Sequence, residues 1–122
     1  AQISEIIRNK PQGFSVLSGN DDETLSLMAT GAQGVISVAS NIAPKQMATL
    51  CELLKEDRMA EARALHYSLM PLFKNCFIES NPIPAKAAMA QLGLMENSLR
   101  LPLSPATEAT EEIIRKTLAE LF

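Results

Sequence analysis

Two short apolar runs flank a stretch with helical periodicity in the first third of the chain. Residues 14–18 and 34–39 are apolar, and the second run, GVISVA, is rich in β-branched residues, which predicts two strands that are buried on both faces. Between them, Leu25, Met28 and Ala32 follow the spacing of one helix face. A strand, a helix and a strand in this order predict a βαβ unit with parallel strands.

Most of the remaining chain shows helical periodicity, so that the chain as a whole is expected to be predominantly helical. Helices are predicted at residues 1–10, 21–30, from Asn41 or the next residue through Leu54, 57–73, 83–92, and from Ser104-Pro105 onward. Pro44 suits the first turn of its helix, whereas Pro71 should kink its helix or end the regular part. Gly93 is expected just after a helix end.

Two polar residues are predicted to cap helices. Asn20 precedes a helix and has Glu23 three residues later as its reciprocal partner. Asn81 is followed by Pro82, which suits a cap followed by proline at the first helical position.

The two predicted strands do not make a complete sheet. A pair of parallel apolar strands with both edges open is not a stable arrangement, because each strand needs further neighbours and helices over its faces. The chain therefore either pairs with another copy of itself or belongs to a larger α/β protein. In either case we expect the isolated chain to self-associate.

Candidate chemistry lies where the two strands end. In open α/β sheets and in barrels, ligands bind at the carboxyl ends of the strands. Here those ends carry Gly19, Asn20 and Asp21 after the first run and Ser40-Asn41 after the second. Gly19 permits a close approach of backbone to a ligand. The same residues also suit a strand-to-helix turn without a binding role. Spacing alone does not decide between a ligand-binding loop and such a turn.

Composition excludes several classes of function. The net charge is −3 and there is no basic stripe with interleaved aromatic residues, which argues against a nucleic-acid partner. No apolar run approaches the roughly 18 residues that span a membrane, and the amino-terminal stretch is too polar for a signal peptide. Cys51, Cys76 and the single histidine, His66, are too sparse for a metal site, so that two reduced, buried thiols in a cytoplasmic protein are expected.

Several motifs carry a resemblance to a known family. The string VLSGNDDETLSLMATGAQGVISVASNIAPKQM resembles the seventh and eighth strand–helix units of the dihydrodipicolinate synthase family, within the class I pyruvate-dependent aldolases. ESNPIPAKAAMAQLGL and LRLPLSP are similar to the carboxyl-terminal helices of that family. The resemblance implies an α/β fold: residues 1–56 would be the last units of a (β/α)₈ TIM barrel, and residues 57–122 would form three carboxyl-terminal helices.

The resemblance also implies an activity for a complete protein. The family is a lyase that condenses pyruvate with aspartate semialdehyde through a Schiff base in lysine and diaminopimelate biosynthesis, without a separate cofactor or metal, as a cytoplasmic homotetramer. Its Schiff-base lysine ends the sixth barrel strand, which this chain does not contain. None of the lysines here ends a predicted strand: Lys10, Lys45, Lys55, Lys74, Lys86 and Lys116. We therefore expect no catalytic residue in this segment and no activity from it alone.

Three substrate-binding positions carry over from the family. Ile36 matches a position whose backbone contacts pyruvate, Gly19 matches a backbone contact near the second substrate, and Asn81 matches an asparagine near the pocket mouth, although helix capping is an equal alternative. Asn20 stands where other members have aspartate, which puts a charge role there in doubt.

Alternatives remain open for assembly and for function. The helix at 21–30 resembles the one that carries part of the family's tetramer contact, for which residues 28–30 are candidates, and ordinary packing is the favoured alternative for Met28. Two other functions fit less well. One is a related aldolase, such as N-acetylneuraminate lyase or a keto-deoxy-sugar aldolase, and the other is a non-catalytic helical interaction module.

Overall fold

The computed structural model describes residues 2–122, so that the first residue of the helix predicted at 1–10 lies outside it. The α-helices are α1 (Gln2–Asn9), α2 (Thr24–Thr30), α3 (Pro44–Lys55), α4 (Met59–Asn75), α5 (Ile83–Gln91) and α6 (Glu108–Leu121). The strands are β1 (Leu17–Ser18) and β2 (Gly34–Val35). Short 3-10 helices follow the strands at Asp21–Glu23 and Ala39–Asn41. The prediction of a mostly helical chain with one strand pair is confirmed.

The strands are parallel, as predicted, but they are shorter than predicted. Leu17 pairs with Gly34 and Ser18 with Val35. The expected strand lengths, residues 14–18 and 34–39, are therefore wrong for this chain. In a two-stranded sheet each strand has hydrogen-bonding partners on one side alone, so that little holds the flanking residues in the extended conformation.

The predicted burial of the strands on both faces is also wrong for this chain. Ser18 is buried on the face that it shares with Val35, and α2 packs against both strands. On the other face, which Leu17 shares with Gly34 and Ile36, the side chains of Leu17 and Ile36 are 45% and 68% exposed. These two side chains form an uncovered apolar patch, called the strand patch below, and Phe14, which precedes β1, is 57% exposed as well.

One hydrophobic core joins helices from both halves of the chain. The apolar face of α3 packs against α4, and α6 packs against both α4 and α5. The largest fully buried aliphatic side chains are Leu50, Leu69, Leu72 and Ile114. Each contributes about 1.5–3 kcal/mol by leaving water. This core crosses residue 56, and the division into segments 1–56 and 57–122 stays a prediction.

Several predicted helix features are confirmed. Pro44 begins α3. Gly93 follows α5 with a φ of +72°, and the next amide, Leu94 N–H, donates to the Met89 carbonyl at 2.9 Å. This is the hydrogen bond of a Schellman motif, which needs a left-handed residue at that position. Met28 is buried in the core, in agreement with the packing alternative, whereas Ala29 and Thr30 are exposed.

The structure corrects the predictions around Pro71 and Asn81. α4 continues through Pro71 to Asn75, because the buried side chains of Leu72 and Phe73 anchor the helix beyond the proline. α5 begins at Ile83, as predicted, but the cap position is held by Pro82 and not by Asn81. The turn before α5 is held by backbone instead, since the Ile83 N–H donates to the Ser80 carbonyl at 2.9 Å.

The last helix begins at Glu108 rather than at Ser104-Pro105. Thr107 is its cap: its Oγ1 accepts from the Thr110 N–H at 3.3 Å. Glu79 holds the cap in place, because its Oε1 accepts from the Thr107 N–H at 3.1 Å and from the Thr107 hydroxyl at 2.9 Å. Hydrogen bonding by the Thr110 side chain, and then by the Thr107 N–H and hydroxyl, lowers the pKa of Glu79. The capping residue is thus fixed by a partner that lies far away in the sequence.

Candidate functional site

The carboxyl ends of β1 and β2 lie side by side, because the strands are parallel and in register. The loop after β1 runs through Gly19 and Asn20 to Asp21, and the loop after β2 runs through Ile36 and Ser37 to Val38. This edge of the sheet is where ligands bind in barrels and in open α/β folds.

Asp21 joins the two loops. Its side chain is 3% exposed, and its Oδ2 accepts hydrogen bonds from the Val38 and Ala39 N–H groups, both at 3.0 Å. Both donors lie at the start of the 3-10 helix Ala39–Asn41, where N–H groups lack partners within the helix. Hydrogen bonds to a carboxylate are stronger than those between neutral groups. The Oδ1 atom is buried and has no hydrogen-bond partner among the described residues.

The loop after β1 is held by short-range bonds. The buried Ser18 hydroxyl donates to the Asn20 carbonyl at 2.8 Å and accepts from the Asn20 N–H at 3.2 Å. The Asn20 amide donates to Glu23 Oε2 at 2.9 Å. The predicted pairing of Asn20 with Glu23 is therefore present, but the predicted cap is wrong, because the Asn20 side chain makes no capping bond to a helix N–H.

Gly19 and Ile36 both lie at this edge with open surroundings. Gly19 is exposed, and a β-carbon added there would meet no atom of the described residues within 4 Å. The Ile36 side chain is 68% exposed, while its N–H donates to the Ser18 carbonyl at 2.9 Å. Since the amide of Ile36 is engaged, its carbonyl is the backbone group left to contact a ligand.

Asn81 lies apart from these loops in the sequence, in the turn before α5. It is exposed, and in the part of the chain that the structure describes no hydrogen bond joins its side chain to Gly19 or Ile36. Helix α5 does pack against the 3-10 helix that Asp21 binds. The packing of α5 thus connects the turn that carries Asn81 to the loop after β2.

A cleft of about 410 Å³ opens beside the loop after β1. Asn20, Asp21 and Asp22 line it together with four residues of the α4 region, which are Met70, Phe73, Lys74 and Phe77. Met70 is 47% exposed, whereas Phe73 is buried. The contact between α4 and this loop was not predictable from spacing.

Two titratable side chains of α4 and its end lie near the acidic residues. Burial, and secondarily the charge of Asp21, raises the pKa of the Cys76 thiol to about 12. Burial lowers the pKa of His66, an effect that the charge of Asp22 opposes. The ring of His66 packs at a tilt of 54° against the Phe73 ring at a centroid distance of 5.7 Å, and its Nδ1 is buried without a hydrogen-bond partner within residues 2–122. Burial thus favours the uncharged form of both groups.

Both cysteines are free thiols, as expected, but only Cys76 is buried, and the expected burial of Cys51 is corrected because its side chain is half-buried. Within residues 2–122, no group of three potential metal-binding side chains is found. Over the same range, no helix is long and apolar enough to cross a membrane.

Of the six lysines, five lie on helices and Lys10 follows α1, and Lys74 of α4 lines the cleft beside the loop after β1. Two of them donate to backbone carbonyls: Lys10 Nζ to Phe14 at 2.8 Å and Lys86 Nζ to Ser98 at 2.7 Å. No lysine follows Ser18 or Val35 directly at a strand end. The prediction on lysine placement is confirmed.

Comparison with known proteins agrees with these features. The 4-hydroxy-tetrahydrodipicolinate synthase of Thermosipho melanesiensis is 47% identical over 119 residues, which are 98% of this chain and 41% of that protein. A crystal structure of dihydrodipicolinate synthase from Thermotoga maritima superposes with a TM-score of 0.94 at 48% identity, over 98% of this chain and 41% of that one. The chloride-inhibited enzyme from Acinetobacter baumannii, complexed with pyruvate, gives a TM-score of 0.92 at 36% identity, over 97% and 40%.

The chain thus spans about two fifths of the length of these relatives. The sequence profile of the Dihydrodipicolinate synthetase family matches residues 1–121. The chain belongs to the dihydrodipicolinate synthetase family.

Proposed function

We propose that this chain forms the last two strand–helix units and the carboxyl-terminal helices of a (β/α)₈-barrel lyase. In the complete enzyme, pyruvate and aspartate semialdehyde condense through a Schiff base in lysine and diaminopimelate biosynthesis. The observation that carries the proposal is the family match over residues 1–121, together with a parallel strand pair whose apolar outer face is uncovered. Each strand of a barrel has a neighbouring strand on both sides, and the uncovered strand patch leaves room for the other strands of such a barrel.

The chemistry would begin on a lysine from a strand outside this chain. The lysine Nζ attacks the keto carbon of pyruvate, water leaves, and loss of a methyl proton gives an enamine. The enamine carbon then forms a bond to the aldehyde carbon of aspartate semialdehyde. No separate cofactor is needed for these steps.

This chain would supply backbone contacts to the substrates. We assign the Ile36 carbonyl to bound pyruvate, the backbone of Gly19 to the second substrate, and Asn81 to the mouth of the pocket. The open space around the Gly19 α-carbon and the exposure of Ile36 support the first two assignments. We also propose that the complete enzyme is a cytoplasmic homotetramer, with the exposed Ala29 and Thr30 among its contacts.

Borohydride trapping tests the proposal. The complete protein is incubated with pyruvate and sodium borohydride and digested, and the peptides are analysed by mass spectrometry. The isolated 122-residue chain is the matched control. We expect a reduced pyruvyl adduct on a lysine outside these residues and none on the six lysines of this chain. An adduct on any of the six would contradict the assignment.

Substrate choice is measured on the same protein. We expect condensation of pyruvate with aspartate semialdehyde and no cleavage of sialic acid. A complete protein that cleaves sialic acid, or that turns over neither substrate set while remaining folded, would overturn the proposal.

A further inference from the structure

Ile36 lies between two hydrogen-bonded anchors. On its amino side, its own N–H donates to the Ser18 carbonyl of β1 at 2.9 Å. On its carboxyl side, the next anchored groups are the N–H groups of Val38 and Ala39, both bound to Asp21 Oδ2 at 3.0 Å. The peptide that carries the Ile36 carbonyl therefore has its direction set from both ends.

The Asp21 anchor is well suited to hold a fixed geometry. The carboxylate is 3% exposed, so that water competes little for its Oδ2 atom, and one oxygen that receives two N–H groups restrains the turn more than a single bond would. The remaining hydrogen bonds of this loop are local to it, because the Ser37 hydroxyl accepts from the Ser40 N–H and the Ser40 hydroxyl donates to the Ser37 carbonyl. Among the described side chains, only that of Asp21 ties the loop after β2 to the loop after β1 through hydrogen bonds.

We infer that Asp21 is a positioning residue for the keto-acid substrate, acting through the backbone at Ile36. This inference rests on the proposed function, because it takes the Ile36 carbonyl as a pyruvate contact. Asp21 does not touch the substrate. It fixes the turn at Val38 and Ala39, and through that turn the direction of the Ile36 carbonyl.

A purely structural role for Asp21 makes a different prediction. A variant that only loses stability contains fewer active molecules, which lowers the apparent kcat and leaves the KM for pyruvate unchanged. A variant with a displaced Ile36 carbonyl binds pyruvate more weakly, which raises the KM. A raised KM at constant kcat therefore indicates a positioning role, and a lower apparent kcat at constant KM indicates a loss of stability alone.

The test compares Asp21→Asn and Asp21→Ala in the complete protein. Asparagine keeps one acceptor oxygen without the charge, and alanine removes the acceptor. We expect the KM for pyruvate to rise about tenfold in the first variant and further in the second, since small displacements at a binding site cost up to about a hundredfold. The kcat should be retained, and borohydride should trap the same lysine at saturating pyruvate. If the alanine variant does not fold, the asparagine variant alone decides.

Ile114→Val serves as the stability control. Ile114 is fully buried in α6, a helix that packs against α4 and α5, and the shorter side chain lowers stability. Its KM for pyruvate should equal that of the unsubstituted protein. An unchanged KM in a folded Asp21→Asn variant would overturn the inference and leave the proposed function intact. An unsubstituted complete protein that traps no pyruvate would overturn both.

Discussion

The strand patch should make the isolated 122-residue chain self-associate, and Ile36→Lys should abolish that association. Leu17 and Ile36 are 45% and 68% exposed, on one face of a two-stranded sheet with open edges. A second copy that covers this face removes apolar surface from water, and lysine on an edge strand prevents such pairing.

The expected effect of the substitution follows from the exposed fractions. Fully burying one such side chain is worth about 1.5–3 kcal/mol, so that covering the exposed part of it gains about 1–2 kcal/mol. A symmetric dimer covers Ile36 in both copies, so that its loss removes about 2–4 kcal/mol from the dimer. Ile36→Lys should therefore weaken the dimer by about 30-fold or more.

Sedimentation equilibrium from micromolar to millimolar concentration measures this directly. Ile113→Lys is the matched control, because Ile113 is a comparably exposed isoleucine, at 41%, on α6. It should leave the Kd within about twofold, as surface substitutions away from the interface usually do. A chain that stays monomeric throughout would refute the reasoning. So would association that the Ile113 variant loses and the Ile36 variant keeps.

Two further predictions concern the site and the thiols. In the complete protein, Ile36→Asp should raise the KM for pyruvate more than it lowers the stability, because a carboxylate beside the substrate carboxylate adds repulsion and a desolvation cost. Steady-state kinetics, together with thermal unfolding, measures both effects. An unchanged KM in a folded variant would show that Ile36 is not part of the site. At pH 8, a thiol with a pKa of about 12, as burial gives Cys76, is only about one part in ten thousand thiolate. Iodoacetamide should therefore modify the half-buried Cys51 first. Peptide mass spectrometry follows both sites, and equal rates in the folded chain would contradict the burial of Cys76.

The sequence was sufficient for those features that depend on neighbouring residues. The βαβ spacing predicted parallel strands, and the position of Pro44 predicted a helix start. Gly93 was predictable for the same reason, since few other residues accept its left-handed conformation without strain. In each case the determining interaction lies within a few residues of the feature.

Features that depend on distant partners were missed. The start of α6 was placed at Ser104-Pro105 because serine and proline there satisfy the local rules, whereas Glu79, 28 residues before Thr107, fixes the cap that the chain uses. Asp21 was recognised as a polar residue at a strand end, but its donors lie 17 and 18 residues away. Periodicity and capping rules contain no information on such bonds.

This chain supplies one part of the proposed site and leaves other parts to the strands that it does not contain. The hydrogen bonds that direct the Ile36 carbonyl all come from residues of this chain, so that its geometry can be set before any other strand is present. The cover over the Ile36 side chain and the nucleophilic lysine do not come from it, because that side chain is 68% exposed and the strand ends carry no lysine. In water, an exposed carbonyl gains little from contact with a keto acid, since solvent competes for the same groups. On the proposed function, the chain therefore contributes a preorganised contact that becomes useful for binding only when the remaining strands exclude water from it.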